Sequence, residues 1–359
     1  MKIAHLITTI ERGGAENQLL VLVREQIKLN FEITVFPLKG NLDLQADLID
    51  LGAMISLDLY NKSFLKLIFK INFIQLKKFN VVHCHLPLSE LVMAFSSFKN
   101  VVITRHYGGK FYPKANRFFS RILSRFATFK VQKVIAISNF VKMQLIENRE
   151  IQRKKKIEVV HYGFNLNNFL KCLTIDDNLE ASKLCFTNFG TLARLSPEKD
   201  IPTLINAFAL LRFEKSDSIN LYIYGSGLEK KLLTDLIREL GLDETSILRG
   251  KTENSIEALS SLDVFVLTST FEGFGMVLLE AMAMNLPIIS SNIPTAIEVL
   301  GEDGAAVFFD QGNSIDLCEK MKNIRALLNS NYKKLQQERL NYFSSKQMSD
   351  KINLIYNSF

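Results

Sequence analysis

The chain has 359 residues, of which 47% are hydrophobic and 23% are charged, a composition typical of a globular protein with more than one domain. It contains no uncharged apolar run of about 18 residues, which excludes a membrane-spanning helix from the predicted elements. The net charge of +7 is uneven, because residues 1–170 hold 25 Lys and Arg against 12 Asp and Glu while the remainder is mildly acidic; this asymmetry predicts two domains with different partners.

The first residues, MKIAHLITTIERGG, resemble a β-strand more than a signal peptide, because no small-residue cleavage site follows them. The cysteines have no CxxC or other metal-ligand spacing, so we interpret them as buried free thiols in a reducing cytosol. We therefore expect a soluble, cytoplasmic protein. The four cysteines are Cys84, Cys172, Cys185 and Cys318.

Short apolar runs alternate with helical patterns through the first half of the chain. Unbroken apolar runs are typical of parallel strands that are covered on both faces. Residues 15–30 have apolar positions at helical spacing and follow the first strand, so the rhythm predicts a doubly wound α/β sheet. The predicted strands are residues 2–8, 32–37, 54–58, 80–85, 101–106, 133–138 and 157–161.

The same rhythm starts again after residues 164–183, a polar stretch without clear periodicity that we interpret as a linker. A second Rossmann-like sheet is therefore predicted, and two such domains leave a cleft between them. Ligands of α/β sheets bind at the carboxyl ends of the strands, so this cleft is the expected site. The predicted strands are residues 183–190, 219–225, 245–250, 263–269, 286–291 and 305–309.

Two glycine-bearing loops follow predicted strands. Gly13 and Gly14 lie at the start of the first helix, and YGSG at 224–227 joins a strand to a helix. A nucleotide loop and a tight turn explain YGSG equally well. Neither GxGxxG nor the P-loop pattern GxxxxGK[ST] occurs, which argues against NAD binding and NTP hydrolysis.

Two basic amphipathic segments occur at 63–79 and 114–130. In the second, Arg117, Arg121 and Arg125 recur every four residues and share one helix face. Such helices can lie on anionic lipid, and ordinary core helices with solvated basic faces stay open as the alternative. No nucleic-acid motif accompanies the charge, so we do not expect a nucleic-acid partner.

Three histidines, His83, His85 and His106, lie at or beside predicted strand ends, where a catalytic cleft would collect them. His83 and His85 share one face of a strand, so a structural role for at least one of them stays open. His106, which precedes two glycines, is the better active-site candidate. We do not expect a zinc site, because no nearby cysteine or HExxH pattern supports one.

The loop in FGTLARLSPEKD, residues 189–200, carries two cations, Arg194 and Lys199, close to a predicted strand end. Two cations converging on a diphosphate would stabilise a departing nucleotide diphosphate. A solvated loop with ordinary charges is the alternative.

The stretch FEGFGMVLLEAMAM holds two carboxylates, Glu272 in a loop and Glu280 in the helix predicted over 275–284. Burying carboxylates is costly unless a partner is present. A glycine-bearing helix start suits a phosphate, and a carboxylate further along suits sugar hydroxyls. Two alternatives stay open: Glu272 could close a capping box with Ser269, and Glu280 could be half exposed on an amphipathic helix.

The order of these features along the chain is more specific than any one of them. The segments are GGAE (13–16), VIAISNF (134–140), VVHYGFNLNNF (159–169), GTLARLSPEKD (190–200), YGSG (224–227), ILRG (247–250) and EGFGMVLLEAMAMNLPIISS (272–291). This series resembles the retaining glycosyltransferases of the GT-B fold, family 4, also called glycosyl transferases group 1. The most specific mark is the E-x7-E spacing of Glu272 and Glu280.

The resemblance implies an α/β protein with two Rossmann-like doubly wound domains facing a cleft. An acceptor-binding domain would span 1–168 and be joined by a C-terminal helix at 345–359. A domain that binds the nucleotide-sugar donor would span 169–344.

The resemblance also implies roles for single residues. Arg194 and Lys199 would hold the donor diphosphate, Glu280 the ribose and Glu272 the donor sugar, with His106 near the reacting carbon. The implied catalytic residues are Glu272, His106, Arg194 and Lys199. The implied donor-binding residues are Gly14, Gly225, Leu248, Phe274, Gly275, Met276, Val277 and Glu280.

The implied reaction is transfer of a sugar, with retention, from a UDP-sugar to a hydroxyl of a glycan or lipid-linked acceptor in cell-surface polysaccharide or lipopolysaccharide synthesis. Neither a metal nor a cofactor is expected. The basic N-terminal domain fits an enzyme at the inner face of the cell membrane. A GT-B nucleotide-sugar epimerase and a non-catalytic nucleotide-sugar binder stay open as alternatives.

Overall fold

The computed structural model describes residues 1–74, 76–112, 116–151, 156–171, 188–214, 219–252 and 254–359. The chain divides into two compact units. The first comprises residues 1–164 with 343–359, and the second comprises residues 165–342. The first unit therefore includes the C-terminal segment of the chain.

Within the described residues, the first unit builds a parallel sheet of seven strands in the order β3-β2-β1-β4-β5-β6-β7. Each strand predicted for this half is present, although β3 is shorter than expected. The strand order reverses between β1 and β4, and such a reversal marks a ligand-binding point at the carboxyl edge. The strands are β1 Lys2–Ile7, β2 Glu32–Pro37, β3 Met54–Ile55, β4 Val81–His85, β5 Val101–Arg105, β6 Lys133–Ala136 and β7 Ile157–Val159.

The second unit repeats this plan, with six strands among its described residues in the order β10-β9-β8-β11-β12-β13, all parallel. The order reverses between β8 and β11. The first predicted strand, 183–190, overlaps β8 at 188–190, and its earlier residues lie outside the described residues, as do most of the predicted linker, Cys172 and Cys185. The strands are β8 Asn188–Leu192, β9 Asn220–Tyr224, β10 Ser246–Gly250, β11 Val264–Leu267, β12 Ile288–Ser291 and β13 Val307–Phe309.

Helices connect the strands in both units, and Cys84 and Cys318 are buried free thiols. The helices before the second sheet are α1 Gly14–Lys28, α2 Gln45–Asp50, α3 Phe64–Lys70, α4 Pro87–Ala94, α5 Arg117–Thr128, α6 Asn139–Glu147 and α7 Leu166–Lys171. Those that follow are α8 Ile201–Glu214, α9 Lys230–Glu239, α10 Ser255–Ser260, α11 Met276–Ala283, α12 Pro294–Leu300, α13 Ser314–Leu327, α14 Tyr332–Tyr342 and α15 Ser345–Tyr356.

Each unit has its own apolar core. In the first unit, Ile352, Ile355 and Tyr356 of α15 pack with α1 and the strands, so the last helix completes this core. In the second unit, α8 and α13 pack together over the sheet. Among the helices of the described residues, none has both the length and the hydropathy to cross a lipid bilayer.

The basic segment predicted at 63–79 is not one continuous helix, which corrects that expectation. Helix α3 ends at Lys70, and a short 3-10 turn follows at Leu76–Lys78. The side chain of Asn72 donates to the carbonyls of Ile68 and Phe95, so it replaces part of the backbone ladder that would continue the helix.

Helix α5 has an unusual distribution of side chains. It buries small and polar residues and exposes large apolar ones: Phe118 and Phe119 are 63% and 58% exposed. An ordinary core helix does the reverse. The buried residues of α5 are Ser120, Ser124, Ala127 and Thr128.

Candidate active site

Two loops meet at the carboxyl edge of the second sheet, where the strand order reverses. One follows β8 and the other follows β11. The backbone amide of Thr270 donates to the carbonyl of Glu198 at 2.9 Å, and the hydroxyl of Thr268 donates to the carbonyl of Lys199 at 2.9 Å. These bonds fix the two loops against each other, at the position where ligands of parallel sheets bind.

The same contact brings together two of the predicted site residues. Lys199 Nζ lies 2.5 Å from Glu272 Oε1, and the hydroxyl of Ser269 donates to that same oxygen at 2.8 Å. Glu272 is only 9% exposed. A buried carboxylate with a cation and a hydroxyl on one oxygen is compensated within the protein, without any ligand.

The capping-box alternative for Glu272 is wrong. Helix α11 begins at Met276 and its N-cap is Gly275, so Ser269 lies too far upstream to cap it. The contact between Ser269 and Glu272 joins their side chains instead. The loop is held by Thr295, whose hydroxyl donates to the backbone carbonyl of Glu272 at 2.9 Å.

The start of α11 has the geometry of an anion site. The N-cap Gly275 adopts φ of 83°, which favours glycine, and a glycine has no side chain with which to cap the helix. The backbone amides of this first turn therefore point toward the same edge as Lys199. Phe274 is buried below the turn, while Met276 and Val277 are partly buried.

Glu280 lies one turn further along α11 and is partly buried. Burial raises the pKa of its carboxyl to about 7, and a hydrogen bond from Ser255 acts in the opposite direction. Near neutral pH this carboxyl takes up or releases a proton easily. Ligand hydroxyls, which favour the ionised form, would lower its pKa.

Arg194 is not brought to the Lys199–Glu272 pair. Its side chain is 78% exposed and contacts Glu198 at 3.1 Å, one residue before Lys199. The structure therefore joins one of the two predicted cations to Glu272 and leaves the other at the rim of the loop.

The glycines of YGSG have a clear packing role. A Cβ at Gly225 would lie 1.7 Å from the carbonyl oxygen of Ala193, and one at Gly227 would lie 2.1 Å from that of Leu195. These contacts bring the loops after β8 and β9 together. Leu248 lies on edge strand β10, partly buried against the core of this unit.

In the first unit, α1 begins at Gly14, with Gly13 as its N-cap. A Cβ at Gly13 would meet the Glu16 carboxylate at 2.5 Å, but one at Gly14 would meet nothing within 4 Å. Packing within the chain thus does not require glycine at 14. A ligand that came close to the backbone would require glycine at this position.

His106, the predicted histidine of the site, is partly buried and belongs to a chain of hydrogen-bonded side chains. Its Nε2 lies 3.3 Å from His85 Nδ1, and its Nδ1 lies 2.6 Å from the Tyr162 hydroxyl. His85 Nε2 lies 3.1 Å from His5 Nδ1, and His5 Nε2 lies 2.8 Å from Gln26 Oε1. We call these five side chains, Tyr162, His106, His85, His5 and Gln26, the histidine chain.

His83 has separate partners. Its Nδ1 lies 2.6 Å from the Tyr356 hydroxyl and its Nε2 lies 2.7 Å from the Thr104 hydroxyl. His5, His83 and His85 are close enough in space to suggest a metal site. However, every ring nitrogen of the three has a hydrogen-bond partner in the protein, so the set fits a hydrogen-bonded cluster better than metal ligands.

A buried ion cluster in the first unit was not predicted. Arg105 Nε lies 2.9 Å from Glu90, its Nη1 lies 3.1 Å from Glu150, and its Nη2 donates to Ser124. Burial raises the pKa of Glu90 to about 7. One signal was present in the sequence, since Arg105 interrupts an apolar strand, as His5 does in β1.

Comparison with known proteins adds the following. The family model described as glycosyl transferases group 1 matches residues 187–342, and the model of glycosyltransferase family 4 matches residues 12–168. Together the two models cover both units of the chain.

Among curated relatives, the capsular polysaccharide biosynthesis glycosyltransferase CapM of Staphylococcus aureus is 27% identical over 66% of this chain and 64% of its own length. The O-antigen biosynthesis glycosyltransferase WclY of Escherichia coli is 30% identical over 47% of this chain and 46% of its own. The matched part is thus less than two thirds of these relatives' length.

Solved structures match over the whole chain. Anabaena HepE in complex with UDP superposes with a TM-score of 0.81 at 20% identity, covering 100% of both chains. The lipopolysaccharide outer core galactosyltransferase WaaB gives 0.73 at 19% identity, over 100% of this chain and 99% of the other. These matches confirm the predicted GT-B fold of two Rossmann-like domains.

Proposed function

This chain belongs to the family 4, or group 1, glycosyltransferases, and we propose that it is an active enzyme that moves a sugar from a nucleotide-diphosphate sugar to a hydroxyl group of an acceptor. The observation that carries the proposal is the pair of Lys199 and Glu272 at the carboxyl edge of the second sheet. Glu272 of this pair lies on the loop that leads into α11, whose N-cap is Gly275, and there a diphosphate would be bound by a cation and by backbone amides.

The chemistry follows from these positions. Lys199 stabilises the negative charge that develops on the departing diphosphate, and Glu272 contacts the sugar. Glu280 accepts hydrogen bonds from the ribose hydroxyls, which favour its ionised form. Arg194 reaches the diphosphate from the rim of the loop.

We further propose that the configuration of the sugar is retained. Glu272 is bound to Lys199 and Ser269 through one oxygen, which makes it a poor nucleophile toward the sugar. Same-face attack by the acceptor hydroxyl, with the leaving phosphate taking its proton, fits this arrangement. A glycosyl–enzyme adduct on Glu272, trapped and seen by mass spectrometry, would contradict it.

The comparisons support the choice of donor and acceptor. The HepE structures contain UDP, or UDP-glucose, and a relative from Campylobacter jejuni is named for transfer to a diphospho-undecaprenol-linked sugar. We propose a UDP-sugar donor and a glycan or lipid-linked acceptor in cell-surface polysaccharide synthesis. Neither a metal nor a cofactor is part of this proposal.

We expect the purified protein to hydrolyse at least one UDP-sugar slowly without acceptor, releasing UDP. A screen of UDP- and GDP-sugars, with chromatography of both the nucleotide and the sugar, measures this. Release of a sugar that is epimerised at a ring carbon other than the anomeric carbon would indicate an epimerase. Binding of UDP with no turnover on any donor would indicate a non-catalytic binder, and either result contradicts the proposal.

A surface of the first unit supports action at a membrane. Residues 59–146 contain a single acidic residue, Glu90, which is buried against Arg105. Ring contacts from Phe64 to Phe95 and from Phe95 to Phe126 connect α3, the end of α4 and α5 into one surface. We call it the aromatic–basic face. Its exposed apolar side chains are Phe64, Leu65, Phe69, Phe73, Phe95, Phe118, Phe119, Ile122, Phe126 and Phe129.

We propose that the aromatic–basic face lies on the anionic inner surface of the cell membrane. Large apolar side chains would enter the headgroup region, while the lysines and arginines around them attract anionic lipid. Part of the predicted arginine face is used within the protein, because Arg121 and Arg125 donate to the carbonyls of Asn148 and Arg149. The apolar side chains therefore carry much of the expected affinity.

The paired change Phe118→Ser and Phe119→Ser is expected to weaken binding to anionic liposomes at least about tenfold, since burying one phenylalanine contributes about 1.5–3 kcal/mol. Flotation at low salt measures the binding, which salt should weaken because charges contribute to it. Phe213→Ser is the matched control, because Phe213 is 94% exposed but lies in the second unit. If the wild-type protein does not float with anionic liposomes at low salt, the proposed membrane-binding role of the aromatic–basic face is wrong.

A further inference from the structure

In the histidine chain every side chain donates a hydrogen bond to the next one, from the Tyr162 hydroxyl to the Gln26 carbonyl. The Gln26 carbonyl faces His5 Nε2, so this nitrogen carries the proton and His5 Nδ1 accepts. His85 Nε2 must then donate to His5, which leaves His85 Nδ1 to accept from His106 Nε2. The remaining nitrogen, His106 Nδ1, accepts from the Tyr162 hydroxyl.

We propose that Tyr162 and His85 are positioning residues for His106: they hold its imidazole neutral, in the tautomer protonated on Nε2, and in one orientation at the end of β5. This inference rests on the proposed sugar transfer, because His106 was predicted from the family resemblance to lie near the reacting carbon. It goes beyond that assignment by saying which form of the ring takes part and what fixes it.

The environment of the chain agrees with neutral rings. Burial lowers the pKa of His106 to about 3 and that of His5 to about 4, and it also lowers the pKa of His85. A proton added to any of these rings would break one hydrogen bond and place a charge in the core. The cavity of about 20 Å³ beside Tyr162 and His106 admits at most one water, so the chain is not itself a ligand pocket.

The groups around the chain explain why it stays neutral. Burial, together with the charge of Glu16 on helix α1, raises the pKa of Tyr162, so that the phenol keeps its proton and can donate. Strand β4 contributes His83, and α15 contributes Tyr356, which is bound to His83. Charge repulsion from His83, His5 and His106 adds to the lowering of the pKa of His85.

A mechanistic consequence follows. A neutral His106 with both nitrogens occupied is neither a general acid for the leaving group nor a base for the acceptor hydroxyl. His106 contributes to the proposed transfer as a polar ring that is held in one fixed orientation. The acceptor proton must leave by another route, and the departing phosphate is the group that the proposed transfer supplies.

The test compares two buried tyrosines that make the same bond. Tyr162→Phe removes the donor to His106 Nδ1, and Tyr356→Phe removes an equally short contact to His83 Nδ1. We expect Tyr162→Phe to lower kcat about three- to tenfold with little change in the KM of the donor, since one hydrogen bond is lost. Burial keeps the His106 ring neutral in this variant as well, so its pH profile should match that of the wild type.

Tyr356→Phe should leave both kcat and the pH profile as in the wild type, although it removes the same buried hydroxyl. Equal effects of the two variants on kcat, or a Tyr162→Phe enzyme identical to wild type, would overturn the proposal. Thermal unfolding of both variants shows whether stability, and not positioning, accounts for a loss.

A second experiment tests the tautomer of His106 without measuring enzyme activity. Heteronuclear NMR of protein labelled in the histidine ring nitrogens is expected to show His106 protonated on Nε2 and unprotonated on Nδ1 around neutral pH. An imidazolium or the opposite tautomer would overturn the inference. If no donor is turned over but the tautomer is as expected, the proposed function fails and the histidine chain stands as a structural finding.

Discussion

Replacing Lys199 by methionine is expected to lower kcat for sugar transfer about 10²- to 10³-fold, the usual cost of losing one group that stabilises transition-state charge. Lys199 lies 2.5 Å from Glu272 and is held by the two loops at the strand-order reversal. Methionine keeps most of the side-chain length and removes the charge. The measurement is steady-state transfer, or donor hydrolysis, with the UDP-sugar found active.

The variant has a second effect that can be separated from the first. Without Lys199, the buried Glu272 keeps its hydrogen bond from Ser269 but loses its cation, so the loop should lose stability. Lys322→Met is the matched control, because Lys322 forms an ion pair with Glu214 in the same unit. A folded Lys199→Met enzyme that keeps more than about a third of wild-type kcat would contradict the assigned role.

The fold was predictable from sequence because the strands of a parallel sheet that is buried on both faces have short, continuous apolar sequences. Strands such as β4 and β11 are buried along their whole length, and the helices between them set the rhythm. The restart of that rhythm in the second half predicted the second sheet. Where the prediction failed, at residues 63–79, the cause was a tertiary hydrogen bond from Asn72 to Phe95, which no local pattern contains.

The candidate site was predictable only in part. Glu272 and Lys199 were both named, but their direct contact joins residues 73 positions apart and depends on which strands are neighbours. The histidine chain is harder still to predict, since it combines β1, β4, α1 and the segments after β5 and β7. The sequence offered one hint, polar residues such as His5 and Arg105 within apolar strands. It could not supply their partners.

Replacing Arg105 by methionine is expected to destabilise the first unit by about 3–5 kcal/mol at neutral pH, because it leaves two buried carboxylates without their cation. Arg105 contacts Glu90 on α4 and Glu150 after α6, and its guanidinium lies 4.4 Å from the ring centre of Phe111. Urea unfolding, with hydrogen exchange of the peptide 81–105 to report on this unit, measures the loss.

The pH dependence of this loss identifies its cause. Burial raises the pKa of Glu90 to about 7 from an ordinary value of 4.5, so the folded state binds this proton more tightly and its contribution to stability grows as the pH falls from 7 toward 4.5. Removing Arg105 raises that pKa further. The loss of stability caused by Arg105→Met should therefore be largest above about pH 7 and smaller near about pH 5.

The triple change Arg105→Met, Glu90→Gln and Glu150→Gln should recover most of the stability, because it removes every charge of the cluster together. A deficit that does not change with pH and persists in the triple variant would show that lost packing, and not an unpaired buried charge, is responsible.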